Sequence, residues 1–503
     1  MSWRDDIRVV VGIDFGTTYS GFAYCHLEDV NEEIYINELW PGITGPFKTN
    51  TVLQYDDDFE NVVLWGNPAL CKKPKTVSNN WSGIDFMTNV LLVLTVPAEY
   101  SEKDKAIMRE CLFEAGLIEK RSSEKLQLTT EPEAAAIFCM DSCLKEHKLT
   151  APGTIFMIVD CGGGTVDLTT RKLLGENQLG EVTERAGDFC GSTFVEKEFI
   201  KLLEKEVGSL AVELFKKQHY CQMQYMLQDF CRKAKIQFSD DDPNFTYELD
   251  LDSVAPSLKQ YITGEEEEIM KERDWEIEID FIAIKSMFDP IVNRIIDLIG
   301  TQLKNSSGKC SAIFLVGGFS QSKYLQKAIK NKFSQEVGII SVPTHPIAAV
   351  VHGAALYGKS LKDEENLEDL SSSKRIIMTR KLTHTFGVLI SPEWEIEDPP
   401  ERITPCGRIE KFLLLAKRGT DATINQEFTD TLYPVYAEQT KLKFKVYHTK
   451  NQDAVYCDEP GMKLLGTLLI DLPDAHLGTK RPVTFSLSFG GIEIRAKAYN
   501  KTN

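Results

Sequence analysis

Two stretches decide the fold: VVVGIDFGTTYSGFAY at residues 9–24 and IFMIVDCGGGTVDLTTRKL at residues 155–173. Each begins as an apolar strand, reaches an acidic residue (Asp14 or Asp160), turns through glycine and threonine, and returns as an alternating strand. This pattern predicts a β-hairpin. Glycines in such a turn lack a Cβ, so the backbone can approach a ligand and its amides can face anionic oxygens. The duplication therefore predicts two turns that grip a polyphosphate from opposite sides.

Polar residues in the turns supply the groups that such a ligand needs. Thr17, Thr18 and Thr165 add hydroxyl donors. Asp14 and Asp160 offer hard oxygens for the Mg²⁺ that accompanies a triphosphate, usually through retained waters. A lone turn of this kind is most often an ordinary hairpin, so it is the pairing that favours phosphate binding.

A third segment, SAIFLVGGFSQSKYLQKAIK (311–330), is a buried strand that breaks at Gly317-Gly318 before a helix. Because these glycines have no side chains, a nucleoside could lie against the backbone at this break. Considered without the other segments, the break would be interpreted as an ordinary strand-to-helix turn. Two further segments are LTTEPEAAAIFC (128–139) and HPIAAVVHGAALYG (345–358). Together, the five segments resemble the ordered phosphate, connect and adenosine motifs of the actin-like ATPase superfamily.

Within that superfamily the chain resembles the DnaK-like 70-kDa heat-shock chaperone family, and in particular its divergent, lid-less branch called heat shock 70-kDa protein twelve. The resemblance rests on DFGTTYSG, EPEAAA and the segment that contains Gly187, Asp188 and Gly191, and it extends over nearly the whole chain. It implies an α/β fold. An actin-like ATPase nucleotide-binding domain, built as a duplicated ribonuclease-H-like unit, would be followed by an all-β sandwich domain.

Composition changes along the chain predict the domain boundaries. Residues 1–362 alternate strand and helix and would form the actin-like nucleotide-binding domain, with its small subdomain truncated near 71–89. The acidic stretch 264–280 is interpreted as a solvated hairpin. A polar, serine-rich linker is predicted at 363–377. The pattern of residues 378–503 predicts a β-sandwich. This domain resembles the family's substrate-binding domain. The sequence stops at NKTN, where that family's helical lid would begin.

The resemblance implies roles for particular residues. Asp14 and Asp160 would hold Mg²⁺ through water, and Glu131 would position the attacking water. An alternative interpretation is that Glu131 only forms part of a helix N-terminus, Thr130-Glu131-Pro132. With Thr165, these three acids form the predicted catalytic set. ATP or ADP would be bound by the following residues: Gly16, Thr17, Thr18, Tyr19, Gly162, Gly163, Gly164, Gly191, Lys235, Ser239, Gly317 and Gly318.

Departures from the family pattern modify these expectations. At the adenosine positions, Ile236, Arg232 and Gln321 replace a stacking arginine, a glutamate and a second arginine, which predicts fewer charged contacts to the base.

The family's apolar interdomain linker is replaced by the polar run 369–373, DLSSS. Coupling of the domains by the family's usual mechanism is therefore not expected.

The largest departure is the short segment CKKPKTVSNNWSGIDFMTN (71–89), several dozen residues shorter than its counterpart in the family. In the family, that region carries the catalytic lysine that faces the terminal phosphate. Lys72, Lys73 and Lys75 match no family pattern, and lysines in a loop are usually solvated. Loss of the cation would slow phosphoryl transfer by orders of magnitude, while binding could persist through the turns and Mg²⁺.

Composition restricts the partners and the compartment. With 75 acidic and 57 basic residues, the net charge of −18 argues against a nucleic-acid surface. The N-terminus lacks a signal-peptide layout, and the longest apolar run, VLLVLTVPA, is too short for a membrane span. The twelve cysteines contain no CxxC pair and read as reduced thiols. These features predict a cytoplasmic protein, with the nucleus as a second compartment.

Three functions are compatible with these patterns. The leading one is an ATP-binding, chaperone-like protein that hydrolyses Mg-ATP slowly and couples it to binding of client polypeptides or a specific protein partner, with co-chaperones or exchange factors as further partners. The alternative is a nucleotide-binding interaction or signalling protein without significant ATPase activity. The third, a small-molecule kinase of the same superfamily, is disfavoured by the β-domain and by the lack of a recognisable sugar-site segment.

Overall fold

The first predicted hairpin is present: its strands, Val9–Phe15 and Tyr19–His26, alternate between buried and more exposed positions, as a strand pair with one buried face does. Their register places Asp14 opposite Gly21, directly before the turn. The computed structural model describes residues 4–29, 33–41, 43–56, 58–70, 89–362 and 376–500. The hairpin's acidic residue is therefore held at the end of a paired strand.

The strands follow in chain order. They are β1 (Val9–Phe15), β2 (Tyr19–His26), β3 (Tyr35–Ile36), β4 (Leu39–Trp40), β5 (Ile43–Thr44), β6 (Thr49–Asn50), β7 (Leu53–Tyr55), β8 (Val62–Trp65), β9 (Val90–Val96), β10 (Leu126–Thr130), β11 (Ile155–Cys161), β12 (Val166–Gly175), β13 (Gln178–Glu181), β14 (Ala186–Asp188), β15 (Tyr247–Asp250), β16 (Glu276–Ile279), β17 (Ala312–Val316), β18 (Ile339–Ser341), β19 (Ile377–Lys381), β20 (Thr385–Ile390), β21 (Lys411–Ala416), β22 (Asp421–Thr423), β23 (Glu427–Leu432), β24 (Lys441–Thr449), β25 (Lys463–Asp471), β26 (Val483–Ser488) and β27 (Arg495–Asn500).

The α-helices lie mostly between these strands in the first 362 residues. They are α1 (Glu102–Glu114), α2 (Glu131–Asp141), α3 (Cys143–Glu146), α4 (Thr193–Val207), α5 (Ser209–Gln218), α6 (Tyr220–Phe230), α7 (Leu251–Val254), α8 (Glu265–Glu272), α9 (Phe281–Asn305), α10 (Lys323–Phe333) and α11 (Ala349–Lys362). A π-helical turn, Cys231–Lys235, continues α6. In the described ranges, no helix combines the length and the apolar character needed to cross a membrane.

The elements form two compact units, of which the first takes in Met1–Glu99, Cys111–Asn177 and Arg185–Arg375. One sheet of this unit has the order β10-β9-β1-β2-β3, with β6 also on β2, and another contains β18-β17-β11-β12, with β14 on β12. In both, an antiparallel hairpin (β1-β2 or β11-β12) carries a parallel strand (β9 or β17) on its first strand. The two sheets repeat one topology, as the duplicated hairpins predicted.

A buried ion pair ties helix α2 to the second hairpin. Thr130 caps the helix by accepting the backbone N–H of Glu133 at 3.3 Å. The Glu133 carboxylate also accepts the Thr129 hydroxyl at 2.9 Å and Nη2 of Arg171, from β12, at 3.3 Å. Both charged side chains are fully buried. Because α2 begins at Glu131, this ion pair fixes the helix end that carries a predicted catalytic residue.

The interpretation of 264–280 as a hairpin is wrong. The segment forms helix α8 and then strand β16, which pairs with the distant strand β15. Four glutamates in the first turn of α8 interact favourably with the helix dipole, and Met270 is fully buried. The charges that suggested a solvated loop therefore mark a helix N-terminus whose opposite face is in the core.

The second unit consists of Tyr100–Glu110, Gln178–Glu184 and Ile376–Asn503. It contains antiparallel sheets of order β21-β20-β24-β25 and β23-β26-β27, and buried side chains of both belong to one hydrophobic cluster. The rings of Phe444 and Phe485, one from each sheet, stack with centroids 4.7 Å apart. Strand β13 pairs in parallel with β19, which pairs with β22.

Ion pairs hold the two inserted segments in the second unit. Arg109 donates Nε and Nη2 to the Glu493 carboxylate at 3.0 and 2.6 Å. Arg418 donates in the same bidentate manner to Glu184, at 2.8 and 2.7 Å. Paired N–H···O bonds of this kind fix orientation as well as distance. Two segments from earlier in the chain, one of them most of helix α1, are therefore part of the unit that the C-terminal strands form.

Removing one partner of the Glu133–Arg171 pair should destabilise the chain strongly. Arg171→Met leaves the buried Glu133 carboxylate without the guanidinium, and we expect the free energy of unfolding to fall by about 3–5 kcal/mol. The double variant Glu133→Leu/Arg171→Met should recover most of that loss, because apolar side chains of similar volume need no counter-ion. Urea unfolding followed by circular dichroism measures both.

The exposed pair Lys145–Asp141, at 2.7 Å, serves as the matched control. Lys145→Met should change the free energy of unfolding by less than about 1 kcal/mol. An equal effect of Lys145→Met and Arg171→Met would contradict a stabilising role for the buried pair.

Candidate nucleotide site

The two predicted phosphate turns meet in the first unit. A Cβ built on Gly163 would lie 2.2 Å from Thr18 Oγ1, and one on Gly164 would lie 3.1 Å from Thr17 Oγ1. Cβ atoms essentially never lie within 3 Å of another heavy atom, so a side chain at position 163 would force the Thr18 side chain or the turn itself to shift. Turns far apart in the chain thus face each other, as the duplicated motif predicted.

Strand β6 and the residue after it support the first turn. Thr51 donates its backbone N–H to the Thr18 carbonyl at 2.9 Å and its hydroxyl to the Gly16 carbonyl at 2.7 Å. In the ladder between β2 and β6, Tyr19 lies opposite Asn50. The predicted phosphate-binding residues 16–19 are therefore held from one side by the segment around residue 50.

The start of helix α4 supports the second turn. The turn is closed by a hydrogen bond from the Gly162 N–H to the Thr165 carbonyl at 3.0 Å. Three consecutive N–H groups before and at the start of α4 donate to three carbonyls of the turn: Gly191 to Gly164 (3.1 Å), Ser192 to Gly162 (3.0 Å) and Thr193 to Gly163 (2.9 Å). Gly191, assigned from the sequence to nucleotide binding, lies against this turn.

Three acidic residues are buried beneath the turns. Asp14 ends the apolar part of β1, and Asp160 has the equivalent position in β11; their exposed fractions are 3% and 6%. Across the second hairpin, Asp160 lies opposite Asp167, whose Oδ1 accepts the Ala98 N–H at 3.1 Å. Sequence reasoning missed Asp167, although a charged residue in an otherwise apolar strand start was an available signal.

Sequence reasoning also missed Lys48, which precedes β6 and brings positive charge to the acidic residues. Its Nζ is hydrogen-bonded and ion-paired to Asp14, and its side chain is 12% exposed. Burial lowers the pKa of Lys48, but the charge and hydrogen bond of Asp14, followed by the charges of Asp160 and Glu131, raise that pKa above its ordinary value. The three lysines considered from the sequence (residues 72, 73 and 75) lie outside the described residues.

The carboxyl groups repel one another. Burial raises the pKa of Asp160 to about 7, against the attraction of Lys48 and with the help of Asp167 and Asp14. Burial is also the main cause that raises the pKa of Asp167 to about 6. For Glu131, burial and then Asp14, Asp160 and Asp167 raise the pKa well above its ordinary value, and Lys48 opposes them. Without further cations, burial and repulsion favour the protonated forms of Asp160, Asp167 and Glu131.

The donor atoms in the site fit a hydrated divalent cation. Among the described residues, no group of three or more His, Cys, Asp and Glu side chains is arranged to bind a metal directly. Asp14 and Asp160 nevertheless present buried, hard oxygens beside the turns, and Mg²⁺ commonly keeps its waters and takes one or two carboxylates together with phosphate oxygens.

The predicted nucleoside turn contacts the second hairpin. Gly317 follows β17 with φ of +80°, and a Cβ there would lie 2.4 Å from Asp160 Oδ1. A side chain at this position would collide with the acidic residue, so glycine is required. Gly318 next to it has open space, since its nearest neighbour would be Ile347 Cδ1 at 3.9 Å. The turn thus extends from Asp160 toward an uncrowded surface.

Lys235 joins this turn to helix α4. It lies in the π-helical turn after α6, and its Nζ is 2.6 Å from Glu196 Oε1 and 5.8 Å from the centroid of the Phe319 ring. Ser239, four residues further on, is half-buried. The structure therefore places Lys235 beside the glycine turn, and a role for Ser239 in nucleotide binding stays a prediction.

Of the residues that depart from the family pattern at the adenosine positions, Arg232 has an ionic partner. Arg232 donates to the buried Asp229 at 3.1 Å, and Lys233 pairs with the same carboxylate at 3.0 Å. Ile236 is 47% exposed. The charge of Arg232 is thus paired with an acid of the preceding helix α6, and fewer charged contacts to a base stay a prediction.

Replacing Asp160 by asparagine should stabilise the chain at high pH when metal and nucleotide are absent. The pKa of Asp160 in the folded chain, about 7, lies above its ordinary value of 3.8. The stability that this carboxyl group contributes is therefore fully present below pH 3.8 and is lost as the pH rises from there through 7. Asparagine removes this loss. One pKa unit corresponds to about 1.4 kcal/mol. We therefore expect the free energy of unfolding of Asp160→Asn to exceed that of the wild type by an amount on the order of 1–4 kcal/mol at pH 8, and by less toward pH 5.

Thermal unfolding in EDTA at several pH values measures this effect. Asp141→Asn, at an acid whose side chain is 46% exposed, is the control and should give no pH-dependent gain. A gain for Asp160→Asn that is larger at pH 5 than at pH 8 would show that the acid is not held in its protonated form.

Several known proteins are similar in sequence to this chain. The family model described as Hsp70 protein matches residues 85–373. Heat shock 70 kDa protein 12A of Mus musculus is 24% identical over 100% of this chain and 91% of its own length. Heat shock 70 kDa protein 12B of Homo sapiens is 23% identical over 81% and 68%, and chaperone protein DnaK of Thermosipho africanus is 23% identical over 96% and 76%.

These matches confirm the resemblance to the 70-kDa heat-shock family and to its protein-twelve branch. The matched region includes the second phosphate hairpin and the glycine turn after β17, and it covers more than half of the chain. The chain belongs to the Hsp70 protein family.

Proposed function

We propose that the chain is an ATP-binding, chaperone-like protein whose first unit holds Mg·ATP or Mg·ADP between the two hairpin turns. The observation that carries the proposal is the meeting of Thr17-Thr18 with Gly163-Gly164 above the buried carboxylates. Backbone N–H groups and hydroxyls at such turns suit phosphate oxygens. Membership of the Hsp70 family supports the same assignment.

The predicted catalytic residues have different roles in this proposal. Asp14 and Asp160 would hold Mg²⁺ through its waters, and the ion would neutralise negative charge on the phosphates. Thr165 would add a hydroxyl donor at the second turn. Glu131, at the start of α2, would orient water and accept its proton.

Slow hydrolysis is the expected consequence. Burial, followed by the neighbouring carboxylates, raises the pKa of Glu131 well above its ordinary value, which favours the protonated form that cannot accept a proton from water. The same observation favours the second candidate, a nucleotide-binding interaction or signalling protein without significant turnover. Single-turnover hydrolysis with the purified chain distinguishes the two.

Mg·ADP should stabilise the wild-type chain against thermal unfolding, by about 2.7 kcal/mol at a hundred times the dissociation constant. The variant Asp160→Asn/Gly163→Val should lose this stabilisation. Valine at 163 would force its Cβ to within 2.2 Å of Thr18 Oγ1 and push the turns out of position. The measurement is the unfolding midpoint as a function of Mg·ADP concentration.

Gly466→Ala provides the matched control, because a Cβ at Gly466 meets no heavy atom within 4 Å. It should retain the full stabilisation. If the double variant folds, as circular dichroism would show, and is stabilised as much as the wild type, the site is assigned wrongly.

We also propose that the second unit, as a β-sandwich, binds extended apolar peptides along strand β25. In the described part of the chain, β25 ends its sheet, and it exposes Leu464 and Leu469 by 54% and 55%. At the opposite edge, the Phe412 N–H of β21 already donates to the Val455 carbonyl at 2.7 Å. An uncovered strand edge offers main-chain hydrogen bonds, and neighbouring apolar side chains provide selectivity.

Leu469→Asp should weaken binding of apolar peptides at least severalfold, because it places a charge where an apolar side chain would pack. Fluorescence anisotropy with a peptide panel, with and without ATP, measures the affinity. Leu414→Asp, at a 37% exposed position of β21, is the matched control and should bind as the wild type does. Flat titrations with every peptide, together with recovery of one protein partner by pull-down, would favour the interaction-protein alternative.

A further inference from the structure

Lys48 is attached to the first phosphate turn by the strand that follows it. In the ladder between β2 and β6, Thr49 lies opposite Ser20, and the hydroxyls of Ser20 and Thr51 are 2.8 Å apart. The side chain of Lys48 passes over Gly21, where a Cβ would lie 2.9 Å from Lys48 Cγ. The backbone is therefore fixed close to the turn, while the end of the side chain is directed into the site.

The end of that side chain lies among negative charges. Its Nζ is bonded to Asp14, and Asp160 and Glu131 are close enough to interact with it electrostatically. The side chain is nearly buried, so solvent screens these interactions only weakly. A nucleotide held between the turns would bring its phosphates, and hence more negative charge, to the same place.

We propose that Lys48 exchanges between two partners, binding Asp14 in the nucleotide-free chain and the phosphate oxygens of a nucleoside di- or triphosphate when one is bound. While it is on Asp14, it competes with divalent cations for that carboxylate. The inference rests on the proposed nucleotide site, and it assigns to Lys48 the positive charge that the family takes from the region shortened here at 71–89.

The chemistry of lysine fits this exchange. An ammonium group is a compact charge with three donors on a flexible stem, so it can change acceptors without a backbone movement. Carboxylate and phosphate oxygens are both charged acceptors that form strong hydrogen bonds with it. Asp14 precedes the turn residue Gly16 by two positions, and the two acceptors would therefore be neighbours.

The first arm of the test uses MgCl₂ without nucleotide. The unfolding midpoint of the wild type should not move, because Lys48 occupies Asp14. Lys48→Met should be stabilised by Mg²⁺ in a concentration-dependent way, since the buried carboxylates have lost their cation. Lys48→Arg should behave as the wild type does, and Lys145→Met, at an exposed ion pair, is the matched control.

The second arm uses ADP in excess EDTA, with affinity measured by calorimetry. Lys48→Met should bind ADP about ten- to a hundredfold more weakly than the wild type, the range expected for a hydrogen bond between charged groups. Asp14→Asn should bind metal-free ADP more tightly, because it releases Lys48 from its carboxylate. This last variant also reports on the exchange if Lys48→Met does not fold.

The outcomes separate the two proposals. Equal Mg²⁺ responses of wild type and Lys48→Met, or weaker metal-free ADP binding by Asp14→Asn, would overturn the exchange. If neither the wild type nor any variant binds ADP, with or without Mg²⁺, the assignment of the nucleotide site is wrong. The proposed binding of Lys48 to phosphate oxygens is then wrong as well. The Mg²⁺ arm would still test the competition at Asp14.

Discussion

The ion pair between Lys48 and Asp14 is the interaction on which the candidate site depends. Burial and mutual repulsion raise the pKa of Asp160 and of Glu131, and Lys48 opposes both shifts. A site that concentrates acids in this way is unfavourable for the empty chain, yet it is suited to a ligand that brings its own divalent cation. On the proposed function, stability and ligand binding would be linked through the same few charges.

The surrounding fold explains how these charges stay in place. The two sheets of the first unit repeat one arrangement of strands, which puts Asp14 and Asp160 at equivalent strand ends. Helix α2 is attached to the second hairpin through the fully buried pair Glu133–Arg171. Breaking such a pair is far more costly than breaking an exposed one, because one charge remains buried. The geometry at Glu131 thus depends on an ion pair outside the site.

The sequence predicted features that depend on local pattern and missed those that depend on distant contacts. Both hairpins and the glycine turn follow from strand periodicity and from glycine, and each is present. Lys48 lies 34 residues from Asp14, and no local motif marks it. The segments 100–110 and 178–184 belong to the second unit through bonds such as Glu184 to Arg418, which composition cannot reveal. The acidic run at 264–280 predicted a solvated hairpin and residues 265–272 form a helix instead, because charge alone does not distinguish a hairpin from a helix start.

Hydrogen–deuterium exchange of the full chain, measured with and without Mg·ADP, shows whether the two turns hold a nucleotide. If the two turns hold the phosphates, Mg·ADP should slow amide exchange in residues 14–19, 162–165 and 316–320, since a bound ligand suppresses local opening. The segment 46–51, which includes Lys48, should be protected with them. Unchanged exchange in both turns at saturating Mg·ADP, or protection confined to residues 411–471 of the second unit, would contradict the account.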